Sequence, residues 1–328
     1  MLRKTLFTVK EEERATRDGF SDGLVQAADD NSKVVALCAD LTESVRMEAF
    51  RTKYPNRFFE VGITEQAMSG VASGMAAMGY VPFMASYAMF SPGRNWEQIR
   101  TTIAYNNVPV KIVGAHTGLS VGPDGATHQA LEDIALMRMV PNMEVFVPCD
   151  AIEATAITQH IAKTVKPSYL RLTREKTPLI LSDEYEWNGG KAYIMSFPRH
   201  KHGGDFMHSV GIIACGPVIY EALKAAKELE KENIGVTVVN MPQVKPLDGG
   251  FLLRFAKDVK AIVTVEEAQT AGGLGGAVSE FLSEHHPIRI IRVGVEDRFG
   301  QSGKPQELYE EYGLTAKHIA EKIRSVIR

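Results

Sequence analysis

The sequence predicts an α/β fold with two domains, each built on a mostly parallel β-sheet. Short apolar runs alternate with amphipathic stretches along most of the 328 residues, and this alternation is typical of βαβ crossovers. The apolar runs are nearly continuous, as expected for strands that helices cover on both faces. A chain of this length is long for one domain and comfortable for two.

Strands alternate with helices through the first part of the chain. The strands are predicted at residues 34–39, 57–61, 81–85, 109–113, 144–147 and 168–172. The helices are predicted near residues 21–29, 44–53, 65–78, 95–105, 131–139 and 151–164. The alternation stops after Glu175, where Asn188-Gly189-Gly190 and the polar tract 198–205 indicate a linker that leads into a β-hairpin. We therefore place a domain boundary near residue 190, with domains at 1–190 and 191–328.

The alternation resumes in the second domain. Strands are predicted at residues 210–215, 235–239, 261–265 and 289–293, and helices near 218–231, 251–257, 277–284 and 315–327. In the helix that begins near residue 218, apolar side chains recur on one face, which is the pattern of a helix packed against a sheet. Both domains are thus predicted to be parallel-sheet α/β units.

Composition and charge exclude several classes of protein. The chain is 45% hydrophobic and 23% charged, which is ordinary for a globular fold. The net charge is −3 and no dense Lys/Arg block occurs, which argues against a nucleic-acid surface or an anionic-membrane anchor. Cys38, Cys149 and Cys215 lie beside apolar strands, as expected for core residues in a reducing compartment. Because no long apolar segment is visible, we expect a cytoplasmic protein.

Glu65 is the first candidate site residue. A predicted strand ends before Gly62, and Thr64 precedes a helix in which Glu65 comes first. Glu65 therefore lies at the carboxyl edge of a parallel sheet, where α/β proteins bind ligands. The competing interpretation is a first-turn glutamate that complements the helix dipole. Gly70 and Gly74 on the same helix predict a close approach, either by another subunit or by the chain's own core.

The strongest signal is the glycine-rich segment 114–129, which directly follows a predicted buried strand. It carries His116, Asp124 and His128. Imidazoles exchange protons near neutral pH and a carboxylate accepts a sugar hydroxyl, so the segment predicts an acid–base site. A rigid surface loop is the alternative. The spacing matches no standard zinc pattern, and the lysine of a phosphate-binding GxxxxGK[ST] loop is missing.

Aromatic and basic residues follow other predicted strands. Tyr87 and Phe90 are suited to stacking on a flat ligand, although ordinary core packing also explains them. Arg17, Arg171 and Arg174 lie near sheet edges, where together they could form an anion clamp, while each alone would be a solvated charge. The segment 272–277 is rich in glycine but lacks the GxGxxG spacing, so it predicts helix–sheet packing rather than nucleotide binding.

These segments together resemble the C-terminal two domains of transketolase, and the resemblance covers essentially the whole chain. Residues 15–17, 39–44, 62–66, 116–129 and 172–174 occur in the order and spacing of that family. The resemblance implies a pyrimidine-binding domain for thiamine diphosphate, followed by a transketolase C-terminal domain. It also implies transfer of a two-carbon ketol unit between ketose and aldose phosphates.

The resemblance implies roles for individual residues. Glu65 matches the glutamate that hydrogen-bonds N1′ of the cofactor's aminopyrimidine. The implied roles are catalysis for Glu65, His116 and His128, cofactor binding for Asp40, Leu41, Glu65, Tyr87 and Phe90, and substrate binding for Arg17, Ser44, His116, Asp124, His128 and Arg174.

The sequence also departs from the family's pattern. Tyr87 replaces the usual Phe, and Gly93 stands where eukaryotic-type enzymes carry a third aromatic, so that wall of the pocket is open or filled differently. The family binds diphosphate and Mg²⁺ through a Gly-Asp-Gly motif, and this sequence contains none. We therefore expect one subunit of a split transketolase. An N-terminal partner subunit would hold the diphosphate and the Mg²⁺ (or Ca²⁺), in an α2β2 assembly, and this chain would supply no metal ligand.

Three other interpretations stay open. A protein like 1-deoxy-xylulose-5-phosphate synthase shares the Glu65 and 124–128 motifs, but that family generally has Asp where His116 stands. A 2-oxoacid dehydrogenase β-like subunit shares the Gly-Ile-x-Glu-Gln turn but usually lacks the loop that ends at His128. A catalytically silent partner subunit would assemble without turnover, and the intact Glu65, His116 and His128 argue against it.

Overall fold

Strands and helices alternate through the N-terminal part of the molecule. The computed structural model describes residues 2–8, 10–196 and 209–327. The strands of this part are β1 (Glu13–Arg14), β2 (Val34–Cys38), β3 (Phe58–Glu60), β4 (Val81–Tyr87), β5 (Lys111–Ala115), β6 (Glu144–Phe146), β7 (Ser168–Arg171) and β8 (Thr177–Pro178). Its helices are α1 (Thr16–Asp30), α2 (Glu48–Lys53), α3 (Glu65–Ala77), α4 (Trp96–Gln98), α5 (Asp133–Met139) and α6 (Ala151–Ile161).

The same alternation continues in the C-terminal part. The strands there are β9 (Tyr193–Ser196), β10 (Ser209–Ala214), β11 (Gly235–Asn240), β12 (Gln243–Lys245), β13 (Ala261–Gln269) and β14 (Ile290–Val295). The helices are α7 (Ile219–Glu230), α8 (Gly249–Asp258), α9 (Leu274–His285), α10 (Pro305–Glu311) and α11 (Ala316–Ile327).

Two large β-sheets have mostly parallel strands, and β1 and β8 form a separate two-stranded antiparallel sheet. The larger sheet has the strand order β12-β6-β7-β5-β4-β2-β3, and every pairing in it is parallel except that of β12 with β6. The second sheet has the order β14-β13-β10-β11-β9, and only β9 runs antiparallel to its neighbour. The predicted fold class, two parallel-sheet α/β units, is confirmed.

Strand β12 joins the two parts of the chain. It follows β11 in sequence, yet it pairs with β6 at the edge of the larger sheet, where Gln243 lies opposite Phe146. The larger sheet is therefore completed by residues from beyond position 190. The boundary near residue 190 stays a prediction. The pairing of β12 with β6 joins strands from both sides of it.

The structure differs from the sequence predictions where local contacts set the element ends. Helix α1 begins at Thr16, earlier than predicted, because the Asp18 side chain accepts the Ala15 amide hydrogen and caps the first turn. The predicted helix at 95–105 is a short α4 followed by the π-helical segment Ile99–Ala104. The tip of the predicted hairpin, 198–205, lies outside the described residues. A hairpin of β9 with β10 is wrong, because β11 lies between them.

The packing of α1 against α6 positions the start of α1 near the sheet edge. A Cβ at Gly19 would collide with the Ala151 carbonyl of α6, so the two helices approach at backbone distance. All three cysteines lie within the described residues, and all are buried and free. Within the described ranges, no helix combines the length and the apolar character that a membrane span requires.

Candidate functional site

The carboxyl ends of β2, β3, β4, β5 and β7 meet at one edge of the larger sheet, because these strands are parallel and adjacent. The segments after these strands, together with the start of α1, carry the predicted site residues. They are Asp40, Leu41 and Ser44 after β2, Glu65 after β3, Tyr87 and Phe90 after β4, His116, Asp124 and His128 after β5, Arg174 after β7, and Arg17 on α1.

Glu65 is the first residue of α3, and it is only 1% exposed. Its Oε2 accepts a hydrogen bond from Arg94 Nη1 at 2.7 Å, and its backbone carbonyl accepts one from Asn95 Nδ2 at 3.1 Å. Within the described part of the chain, Oε1 of this carboxyl group has no hydrogen-bond partner. A buried carboxyl group with one oxygen bonded and one free is arranged to bind a nitrogen of a ligand. A glutamate that only complements the helix dipole does not need to be buried in this way.

Arg94 is a site residue that the sequence interpretation missed. Its guanidinium carbon lies 4.8 Å from the centroid of the Phe90 ring, within the range of a cation–π contact. A Cβ at Gly93 would collide with the Met89 carbonyl, so no side chain fits there. The wall that a third aromatic would form is thus occupied differently, by an arginine that pairs with Glu65. Arg94 directly follows Gly93, but nothing local in the sequence indicates its distant carboxylate partner.

Two aromatic residues and two histidines form one cluster beside Glu65's partner Arg94. The rings of Tyr87 and His116 stack with centroids 3.9 Å apart, and those of Tyr87 and Phe90 are 5.9 Å apart. His128 meets Phe90 edge-on at 5.7 Å. The structure therefore brings together four residues that the sequence singled out after two different strands.

His116 is nearly inaccessible and incompletely bonded. It is 2% exposed, and burial together with the nearby Arg17 and Arg174 lowers the pKa of His116 to about 3, so the ring is neutral at ordinary pH. Arg17 Nη1 donates to Nε2 at 3.4 Å, which leaves the proton on Nδ1. Nδ1 is buried and has no partner among the described residues. It is therefore a donor available to a ligand oxygen.

Three arginines converge beside His116. Arg17 donates to the Ser44 carbonyl at 2.8 Å, and Arg174 donates to the Val121 carbonyl at 2.9 Å. Burial lowers the pKa of Arg17, and the positive charges of Arg46 and Arg174 lower it further. Arg46, which the sequence interpretation missed, is held by an ion pair from its Nε to Asp18 at 3.0 Å. Arg46 and Arg174 pair with carboxylates, so Arg17, whose buried Nε has no partner among the described residues, is the arginine best suited to an anionic group.

Backbone geometry at this edge is also unusual. Asp40, Arg46 and His116 adopt left-handed conformations with φ of 58°, 62° and 54°. Such conformations cost about 1–3 kcal/mol each in non-glycine residues and cluster at functional sites. The turns that hold these residues are therefore constrained by their surroundings rather than by local preference.

Three predicted residues lie at the margin of the cluster. The Asp40 amide donates to Glu60 Oε1 at 2.7 Å, which ties Asp40 and the adjacent Leu41 to the end of β3. Asp124 is exposed and faces Arg174, with 3.4 Å between Oδ2 and Nη1. The structure therefore places Asp124 at the arginine rim rather than in the ring cluster.

Arg171 does not belong to the anion rim, and its predicted share in an anion clamp is wrong. The side chain is buried and ion-paired with Asp133 at 2.8 Å, and it also donates to the Glu267 carbonyl at 2.9 Å. Its position on β7, rather than beyond the strand end, directs it into the contact between the two parts of the chain.

The chemistry of the donor set fits an aromatic nitrogen base better than a metal ion. Within the described ranges, no group of three or more His, Cys, Asp or Glu side chains is arranged to hold a metal. The site instead offers the free Oε1 of Glu65, the ring faces of Tyr87 and Phe90, and the buried, unpartnered Ser86 Oγ and His116 Nδ1. These residues fit the pyrimidine end of thiamine diphosphate.

Fold and site together define an α/β protein with a buried carboxyl group and a cluster of histidine and aromatic rings at a parallel sheet edge. Comparison with protein families gives the same class. Residues 12–179 match "Transketolase, pyrimidine binding domain", and residues 207–319 match "Transketolase, C-terminal domain". The chain belongs to the transketolase family and corresponds to its C-terminal section.

Two relatives of similar length are named as transketolase subunits. The chain is 39% identical over 320 residues to the 6-deoxy-6-sulfo-D-fructose transketolase subunit SqwH of Clostridium sp. (strain MSTE9), covering 98% of this chain and 97% of the relative. It is 32% identical to one subunit of an apulose-4-phosphate transketolase of Actinobacillus succinogenes, covering 90% and 93%. It also matches a 1-deoxy-D-xylulose-5-phosphate synthase of Syntrophus aciditrophicus at 35% identity, covering 94% of this chain and 46% of that protein.

Solved structures give the same relationship. A structure described as a split gene transketolase, inactive β4 tetramer, superposes with a TM-score of 0.86 at 41% identity and covers 95% of this chain and 98% of that one. The transketolase of Campylobacter jejuni superposes with a TM-score of 0.80 at 24% identity. This chain spans 47% of the Campylobacter protein, so it corresponds to about half of a full-length transketolase.

Proposed function

We propose that this chain is the C-terminal subunit of a split, thiamine-diphosphate-dependent transketolase. The observation that carries the proposal is the buried Glu65 carboxyl group, with its free Oε1, at the same sheet edge as the ring cluster and the arginine rim. The reaction would move a two-carbon ketol unit from a ketose phosphate to an aldose phosphate. The donor leaves as the shorter aldose and the acceptor becomes the ketose, so the exchange needs no oxidant or reductant.

Glu65 would hold the cofactor's pyrimidine nitrogen through Oε1. When bound, thiamine diphosphate supplies a carbon nucleophile for cleavage beside a ketone. Arg94 fixes the other oxygen of the carboxyl group, so Oε1 is presented in one orientation. Tyr87 and Phe90 would cover the flat ring, as their stacked arrangement allows.

The histidines and arginines would bind the sugar. His116 is neutral, so its Nδ1–H can donate to a hydroxyl or carbonyl oxygen without the cost of a buried charge. His128 is more accessible and would exchange protons with sugar hydroxyls, with Asp124 as an acceptor. Arg17, Arg174 and the Ser44 segment would hold the anionic end far from the reacting carbon, where remote binding energy orients the substrate.

A partner subunit would complete the site. We assign the diphosphate and its Mg²⁺ or Ca²⁺ to an N-terminal subunit, in an α2β2 assembly. Helix α3 offers a surface for it: a Cβ at Gly70 or Gly74 would meet nothing within 4 Å, so the chain's own core does not use these glycines. Val71 and Met78 on and beside this face are 43% and 77% exposed. An exposed apolar face of this kind suits a subunit contact.

The substrate and the cellular setting are also part of the proposal. Sugar phosphates of the pentose phosphate pathway are the substrates we favour, in the cytoplasm. The relatives named for sulfonated and apulose-derived sugars support testing other anionic ketoses as well. The match to a 1-deoxy-D-xylulose-5-phosphate synthase keeps that reaction as a second candidate, and His116 is the residue that distinguishes the two.

The decisive experiment is co-expression with an N-terminal transketolase subunit from the same genome, followed by assays with a panel of ketose and aldose donors and acceptors. We expect transfer by the pair, and neither activity nor tight Mg²⁺-dependent cofactor binding by this chain alone. Tight binding by the isolated chain in calorimetry would contradict the split site. A pair that binds cofactor but transfers no ketol unit to any acceptor would favour the silent-subunit interpretation.

A further inference from the structure

The glycine-rich segment that carries His116 and His128 packs against the C-terminal part of the chain. Three of its glycines have positive φ, and each faces a residue from beyond position 260: Gly118 faces Glu267, Gly122 faces Gly303 and Pro305, and Gly125 faces Ser302. These glycines thus provide close contact with the second part of the molecule.

Glu267 makes the deepest of these contacts. It lies near the carboxyl end of β13 and is 2% exposed. Its Oε1 accepts the backbone amide hydrogen of Ser120 at 2.6 Å, and its Oε2 accepts the hydroxyl hydrogen of Tyr309 at 2.8 Å. A Cβ at Gly118 would collide with Oε1 of this carboxyl group. The segment therefore closes directly over this side chain.

Backbone carbonyl groups of both parts of the chain hold the segment on either side of Ser120. The amide hydrogens of Thr117 and Gly118 are accepted by the Leu172 and Ala130 carbonyls, both in the N-terminal part. Gln129 donates to the Leu119 carbonyl at 3.1 Å and to the Gln301 carbonyl at 3.0 Å. Glu267 is thus the ionisable side chain that joins the two parts at the middle of the segment.

We propose that Glu267 is a positioning residue: from the C-terminal domain, it fixes the segment that presents His116 and His128 at the site. The domain boundary near residue 190 would then separate two units that build one site together. The effect on catalysis rests on the proposed function, whereas the effect on the segment itself does not.

The neighbouring glutamate provides a matched control. Glu266 is equally buried, and its carboxyl oxygens accept the backbone amide hydrogens of Leu274 and Gly275 at 2.7 and 2.8 Å. Two adjacent residues of one strand therefore hold two different glycine-rich segments. Substitution of Glu266 should loosen the segment near residue 274 and leave the 116–129 segment unchanged.

The test is hydrogen–deuterium exchange of the full-length chain, read by mass spectrometry at peptides that cover residues 116–129 and 272–280. In Glu267→Leu, which keeps bulk but removes the acceptor, exchange near Ser120 should be about 10- to 100-fold faster, as expected for loss of a charge-assisted hydrogen bond. Glu267→Gln should stay close to wild type, because the amide oxygen can accept from Ser120 while its NH₂ group donates to Tyr309. Glu266→Gln should accelerate exchange only at 272–280.

Two outcomes would overturn the proposal. One is unchanged exchange at 116–129 in Glu267→Leu, and the other is equal acceleration across the whole chain, which indicates general destabilisation. If the Leu variant does not fold, Tyr309→Phe serves instead, because it removes the bond that orients the carboxyl group. It should accelerate the same peptide several-fold, and no change there would also contradict the proposal.

A second readout connects the segment with catalysis in the assembled enzyme. Glu267→Leu should lower kcat but leave the exchange rate of the C2 proton of bound thiamine diphosphate nearly unchanged. The reason is that neither Glu65 nor Arg94 contacts Ser120. Glu267→Gln should restore kcat. Normal kcat in Glu267→Leu with faster local exchange would refute the catalytic link. A wild-type pair without activity would refute the proposed function instead, and the exchange result would still decide the positioning role.

Discussion

Strand β5 has a buried ionisable residue at each end, and the two differ in one respect that matters. Lys111 opens the strand and His116 follows its last residue. Burial lowers the pKa of Lys111 to about 7, and burial with nearby arginines lowers that of His116 to about 3. Lys111 Nζ donates to the Thr164 carbonyl and hydroxyl and to the Lys166 carbonyl, at 2.6–3.1 Å. His116 Nδ1 has no partner among the described residues.

This difference shows which observations indicate a site. Burial and a displaced pKa occur at both ends of the strand, so neither property alone identifies function. Lys111 Nζ has three oxygen acceptors within hydrogen-bond distance, as a structural residue does. His116 keeps an unused donor, stacks on Tyr87 and lies beside Arg17. Incomplete bonding in a cluster of reactive groups therefore favours function at the carboxyl end.

The largest expected effect is at Glu65. Glu65→Gln should reduce activity of the assembled enzyme by roughly 10⁴-fold, the upper end for a positioned acid–base group, with the fold intact. An amide cannot exchange a proton with a ring nitrogen at the Oε1 position, and it cannot pair ionically with Arg94. Steady-state assays and exchange of the C2 proton of bound cofactor measure this, with exposed Glu97→Gln as the control. An unchanged exchange rate would remove Glu65 from the mechanism.

Next come the two histidines. His116→Ala and His128→Ala should each lower kcat by roughly 10²–10⁴-fold if the rings take part in proton transfer. Because His116 stays neutral down to a pKa of about 3, its loss should not remove an ionisation near pH 6.5 from the pH–rate profile. A change in KM alone for both variants would make them binding residues and would weaken the contrast between the two ends of β5.

The arginine rim should give a smaller, substrate-dependent effect. Arg174→Ala should lower kcat/KM for phosphorylated sugars by about 10- to 150-fold, the cost of one charge-assisted contact, and barely affect unphosphorylated ones. Exposed Arg100→Ala is the control. Equal losses for both classes of sugar would show that Arg174 acts through the Val121 carbonyl on the segment's conformation.

The smallest effect on activity is expected at the other end of the strand. Lys111→Met should leave kcat unchanged but alter the pH dependence of stability. The unfolded chain binds a proton up to about pH 10.5, and the folded chain only up to about 7, so wild-type stability should rise between these values. The variant should lose this rise, which approaches about 1.4 kcal/mol per pH unit. Urea midpoints from pH 7 to 10 measure it, with exposed Lys163→Met as the control. An unchanged slope would mean that Lys111 stays charged in the fold.

The sequence could predict elements whose signals are local. Near-continuous apolar runs indicated the central strands, and Glu65, His116 and His128 were visible because glycine-rich turns follow those strands. Strand β12 was not predicted, because it has only three residues and pairs with a distant sheet edge. Helix α10 was not predicted, because it has only seven residues and packs under the 119–124 turn. Short elements of this kind depend on tertiary partners.

The missed site residues have the same explanation. Arg94 pairs with a carboxyl group 29 positions away, and Glu267 bonds an amide 147 positions away. Arg46 lies in a turn whose left-handed backbone no local pattern predicts. Arg171 was predicted at an anion clamp because it lies near a sheet edge, but its side chain pairs with Asp133. Spacing along the sequence thus indicated which sheet edge carries the candidate site. It did not reveal the contacts that hold the site residues in place.

The antiparallel pairing of β12 with β6 has a consequence for dividing this molecule. A fragment that ends at residue 190 would leave β6 as a bare sheet edge, and exposed edges of this kind template aggregation. A fragment that starts there would carry a loose three-residue strand without its partner. Limited proteolysis in the linker should therefore produce two pieces that stay associated, and the intact chain should melt in one cooperative transition. For protein engineering, residues 1–190 are not an exchangeable module, because the strand that completes their sheet lies at Gln243–Lys245.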